Sequence, residues 1–164
     1  DFCLSRGLGD VYKRQQPYIV DVLDVVTGTV RVRVLDPQRT FWEKATLLHE
    51  IAHRDSSLPF PPRHSRHYYD LALLARSEIA DSAIANAPLL SAVAKFKSVF
   101  FASTRARYDL AKPGTLRLMF PDFRRSAIAS DYEQMQPMLF GTVPSFDEVC
   151  TCIVELEARI NAAR

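Results

Sequence analysis

The sequence predicts a mainly α protein with a small α/β front. Three observations carry that expectation. One segment near the front alternates apolar and charged residues with period two. From Pro37 onward, apolar residues recur at spacings of three and four. The 164 residues are 48% hydrophobic and 24% charged, enough to bury one core. The apolar content excludes disorder, and five glycines with no short period exclude collagen-like and low-complexity classes. No stretch approaches the roughly 18 apolar residues of a membrane span. A net charge of +2 advertises neither nucleic acid nor membrane. The cysteines number three, and Cys150 and Cys152 are too close in the chain to staple distant segments, so a reduced, cytoplasmic setting is expected.

Residues 1–15 (DFCLSRGLGDVYKRQ) show neither helical nor strand periodicity and no secretory core. They resemble translated sequencing-adapter DNA. The expectation is a non-native leader that packs on nothing, in a protein truncated before Gln16. PYIVDVLDVV fits a strand or a short helix. Residues 29–37 (TVRVRVLDP) alternate Val30, Val32 and Val34 with Arg31 and Arg33, a half-buried strand stopped by Asp36-Pro37. Thr40 and Glu43 have capping-box spacing, which predicts a helix running to about Arg54. A Pro-rich loop, residues 56–65, ends at Ser65, a possible cap for a helix over 67–86. Pro88 opens APLLSAVAKFKSVFF, a helix-like RARYDLA follows, and Lys112-Pro113-Gly114 marks a loop. Val149, Ile153, Leu156 and Ile160 define a last helix over about 147–161.

The most conspicuous motif is His49-Glu50-Ile51-Ala52-His53, an H-E-x-x-H. On a helix its histidines could grip zinc while Glu50 activates a bound water. Arg54-Asp55 follow at once, Ser56 and Pro59 stand where a glycine and a third histidine belong, and Glu78 is the only tempting third ligand. The apolar arc of this helix is Phe41, Ala45, Leu47, Leu48, Ile51 and Ala52. His49 and His53 fall outside it, on what reads as a polar flank. A zinc metallopeptidase is therefore the weaker reading, and no stoichiometric zinc is expected. Lys44, by contrast, falls inside the arc, where an ammonium is costly unless it snorkels to the rim or reaches a partner. In RHSRHYYDL, Asp70 borders the apolar stripe with Arg66 and His67 one turn earlier on the same side. That is either a solvated basic turn with an Asp70–Arg66 pair, or an anion-handling corner helped by free helix amides.

LDPQRTFWEKATLLHEIAHR and RHSRHYYDLALLA resemble the second half of the nucleotidyltransferase domain of the AbiEii/AbiGii toxin family. AKFKSVFF, ARYDLAKPGTLRL, DYEQMQPMLFG, PSFDEV and LEARINA resemble that family's C-terminal helical region. The resemblance implies the remnant of a polymerase-β-type fold, with residues 16–86 as the second half of the transferase domain and 87–164 as the helical region. It implies a bacterial, cytoplasmic abortive-infection toxin that transfers a nucleotidyl group from an NTP to an RNA or protein acceptor, with a separately encoded antitoxin. It assigns catalytic roles to Lys44, on the phosphates, and to Asp70, positioning Lys44, Arg66 or the acceptor. Arg66 and His67 are the expected substrate-binding residues. Mg²⁺ and NTP belong to the parent, whose Gly-Ser turn and paired aspartates have no counterpart here. Asp21 and Asp24 lack the matching context, so no metal ligand is assigned and the fragment is expected to be inactive alone. The rival class is a non-catalytic helical interaction module. If Lys44 and Asp70 begin their helices, a simple antiparallel hairpin would part them, so a strongly crossed pair lining one concavity is expected.

Overall fold

The computed structural model describes residues 10–15, 30–103, 105–139 and 141–163. Among them, β1 (Asp10–Gln15) pairs antiparallel with β2 (Val30–Leu35), in a register that sets Asp10 opposite Leu35 and Gln15 opposite Val30. A strand at 10–15 departs from the expectation that residues 1–15 carry no element. A ladder is built from backbone groups, so a partner with a strong period can recruit a segment that has none. PYIVDVLDVV, with Asp21 and Asp24, lies outside the described residues.

Asp36 ends the strand and starts α1 (Pro37–His53). Its carboxylate accepts from the Gln38 amide at 2.8 Å, and Pro37 presets the first helical φ. The expected Thr40–Glu43 capping box is therefore absent, since the helix begins a turn earlier. Thr40 instead donates to the Asp36 carbonyl, and Glu43 is engaged by two cations. At the far end, Arg124 is buried and donates to the carbonyls of Arg54, Asp55 and Leu58. A charged fork thus meets the negative end of the helix.

The expected helix over 67–86 is two helices, α2 (Ser65–Ala75) and α3 (Glu78–Ala85). Ser77 breaks it by accepting from the Ile79 amide and donating to the Leu74 carbonyl. Ser65 is the first residue of α2 and not its cap. The capping oxygens come from Asp131, which accepts from the amides of Arg63 at 2.6 Å and Ser65 at 2.9 Å. Next come α4 (Ala87–Phe100), a 3₁₀ turn at Tyr108–Leu110, α5 (Arg125–Met135) and α6 (Phe146–Ala162). A Ser145–Glu148 capping box starts α6.

One core joins all six helices. Phe41, Ala45 and Leu48 of α1, Tyr68 and Leu71 of α2, and Val149, Ile153, Leu156 and Ile160 of α6 are nearly solvent-free. Each large side chain so buried contributes about 1.5–3 kcal/mol before entropy is counted. α2 touches both α1 and α6, while α1 also meets α3, α4 and the 108–110 turn. Polar side chains of α6 hold an extended segment against it: Asn161 exchanges two hydrogen bonds with Leu116, and Glu157 accepts from the amides of Leu118 and Met119.

Candidate active site

Lys44 is the eighth of seventeen residues in α1 and Asp70 the sixth of eleven in α2, so both stand at mid-helix. That placement corrects the premise that they begin or border their helices: their side chains meet at mid-helix on a packed pair. Lys44 Nζ donates to Asp70 Oδ2 at 2.6 Å and lies 3.1 Å from His67 Nδ1. The lysine side chain retains 24% of its exposure and the aspartate 37%. The ammonium is thus drawn out of the apolar arc towards a wetter rim. Asp70 pairs with Lys44, where a local pair with Arg66 had been an alternative; Arg66 is exposed beside His67. Burial, then the Lys44 ammonium, and after it Arg66 and His64, push the His67 imidazole down to about 4 against the pull of Asp70.

A second ionic group adjoins this one on α1. Glu43 lies 3.3 Å from Lys97 Nζ and 3.6 Å from Arg39 Nε, and Lys97 also donates to the Glu43 carbonyl at 2.8 Å. Burial lowers the Lys97 ammonium from its ordinary range, with Glu43 opposing. Reading the sequence for charged residues outside the two motifs overlooked Lys97. Its signal was present: it continues the stripe of Leu90, Val93 and Ala94 on α4, the same oddity that exposed Lys44.

The two histidines of the H-E-x-x-H differ in setting, His53 being partly exposed. His49 is fully buried, which corrects its placement on a polar flank. Its Nε2 donates to the Arg107 carbonyl at 3.0 Å, and its Nδ1 accepts from the Arg117 amide at 3.0 Å. Both ring nitrogens are consumed in tying α1 to the loop around the 108–110 turn, so neither is left to ligate zinc. Burial lowers its basicity, keeping the ring neutral. His53 donates to the His49 carbonyl, and Glu50 accepts from the Tyr108 hydroxyl at 3.3 Å. α1 has neighbours on nearly every side, so the flank that looked polar is an interior seam.

The anion-handling corner also changes character. The Ser65 amide that opens α2 and the Arg63 amide before it are taken by the Asp131 carboxylate, and the His67 amide by the His64 carbonyl. Among the described residues no cluster of histidine, cysteine and carboxylate groups could hold a metal ion. Asp70, the carboxylate against Lys44, is neutralised by that ammonium and does not fit a Mg²⁺ site.

What stands at the centre is a largely buried lysine whose ammonium reaches the rim, oriented by a carboxylate and an imidazole of the helix packed against it. Such a group suits the class of proteins that hold phosphates by directed positive charge. The sequence matches, over residues 6–152, the family described as the nucleotidyl transferase AbiEii toxin of a type IV toxin–antitoxin system, and the chain belongs to that family. Neither a curated protein nor a solved structure shows a significant match. No helix among the described residues is long and apolar enough to cross a membrane.

Proposed function

We propose that the chain is part of a toxin that transfers a nucleotidyl group from an NTP to an RNA or protein acceptor, with Lys44 and Asp70 in the catalytic machinery. The acceptor hydroxyl oxygen attacks the α-phosphorus, its proton passes to solvent, the bond to the bridging oxygen breaks, and pyrophosphate leaves. Lys44 lies against the phosphates and offsets the charge that builds on them during transfer. Asp70 keeps its ammonium aimed, and Arg66 and His67 border the same ligand. The observation that carries this reading is the 2.6 Å Lys44–Asp70 contact, which joins two helices inside the family match. Residues 16–86 belong in this reading to the second half of a polymerase-β-type domain, and 87–164 to its helical companion. Among the described residues no group of side chains fits a Mg²⁺ site, and the part these helices supply is positive charge on the phosphates.

The parent is read as a bacterial, cytoplasmic abortive-infection protein held in check by an antitoxin encoded beside it, and the chain as a fragment inactive alone. The test uses the parent protein with its upstream sequence and follows transfer of label from α-labelled NTPs to RNA and to protein. Lys44→Ala and Asp70→Ala each abolish transfer while circular dichroism and melting stay near wild type. Wild-type transfer by either folded variant removes the assignment, and a parent that transfers nothing favours the helical interaction module.

A further inference from the structure

His67 touches Lys44 in a way that settles where its own proton sits. An ammonium has three donors and no acceptor, so the 3.1 Å contact requires a lone pair on His67 Nδ1. The ring is then neutral, with its hydrogen on Nε2. An imidazolium would point an N–H at the ammonium. The groups facing the ring are Lys44 from α1, Arg66 and Asp70 from α2, and His64 just before α2, with the His64 ring centroid 5.4 Å away. Asp70, the one carboxylate among them, is already taken by Lys44. Burial and the Lys44 charge hold His67 at about 4, well clear of neutral pH. Among the described residues nothing accepts from Nε2, and the side chain is half-buried. Lys44, with one N–H on Asp70 and one on His67, keeps its third.

We infer that His67 is a phosphate-positioning residue: held neutral by Lys44, it presents Nε2–H as a directional donor to an oxygen of a polyphosphate docked on the third N–H of Lys44. This rests on the reading of Lys44 as the phosphate-binding residue. It adds to that reading an uncharged donor that fixes the orientation of the polyphosphate and takes no part in moving protons.

The test uses the chain itself, labelled with ¹⁵N-histidine, and inorganic tripolyphosphate as the probe. Long-range proton–nitrogen correlation identifies the tautomer directly. We expect the Nε2–H form of His67 from pH 7.5 to about 5, and a shift of its Nε2 resonance on adding tripolyphosphate. Loss of a hydrogen bond to a charged oxygen in His67→Leu weakens binding about tenfold or more. His67→Gln, whose amide reaches a similar point, recovers part of that loss. An Nδ1–H tautomer, an imidazolium at pH 6.5, or unchanged affinity in His67→Leu overturns the inference about His67. Failure of the wild-type chain to bind tripolyphosphate, or undiminished binding by Lys44→Ala, instead overturns the reading of Lys44 on which it rests.

Discussion

Replacing His49 with leucine tests the most consequential interior contact of α1. Leucine fills much of the imidazole's volume and has no polar atom. The Arg107 carbonyl and the Arg117 amide, each bonded to the ring at 3.0 Å, then lose their partner together. A buried backbone group left unsatisfied costs about 1–3 kcal/mol. The residues carrying them are exposed at their side chains, so water reaches part of the seam, and the loss should come to about 2–4 kcal/mol. For a domain of this size that lowers Tm by about 5–15 °C. Urea unfolding followed by circular dichroism measures it, and hydrogen exchange at the Arg117 amide localises it. Because the folded state depresses the basicity of His49, the unfolded chain binds more protons below the ordinary histidine range. Its contribution is therefore complete above about pH 6.5 and is lost as pH falls towards the lower folded value. His49→Leu should lack that share of the acid sensitivity, while the share due to His67 persists. A leucine variant within about 0.5 kcal/mol of wild type, with Arg117 equally protected, refutes the bracket.

Arg124→Ala strips three carbonyls in the segment that follows α1 of their donor and should cost about 2–4 kcal/mol in denaturant unfolding, with Arg124→Lys restoring only part because an ammonium lacks the fork. Asp131→Ala uncaps α2 and should cost about 1–2 kcal/mol, read as faster exchange at the Ser65 amide. Burial alone would raise the Asp131 carboxyl, but the bonds from Ser65 and Arg63 outweigh it and lower it; its contribution is present above about pH 4 and drains as pH falls through the folded value. Lys97→Met leaves Glu43 to Arg39 alone and should cost about 1–3 kcal/mol by thermal melting, the loss being limited by the partial exposure of Glu43. Purified protein should retain less than stoichiometric zinc by elemental analysis, since His49 has no nitrogen to spare; one equivalent lost on His49→Ala sinks that expectation.

Period and punctuation made much of this fold legible. The β2 alternation, the Asp36-Pro37 stop and the α6 stripe all appear where the residues place them. Lys44 was visible as a charge on an apolar arc, and Asp70 as a carboxylate beside a stripe, although their direct contact was not. What escaped has a common cause. A helical wheel compares a residue with its own helix, whereas His49 is buried by a loop 58 to 68 residues onward and α2 is capped by a carboxylate 66 residues away. Local rules also compete: Asp36 outbid Thr40 for the start of α1, and Ser77 divided a helix whose apolar spacing ran straight through.

The Asp131 carboxylate on the Arg63 and Ser65 amides, at the entry to α2, carries a consequence for the order of events at the ribosome. α1 and α2 emerge first and can coil early, but the start of α2 stays open to water until the chain is made through residue 131. The helix that carries Asp70 is thus finished at its start by a residue of α5, 66 positions further along the chain.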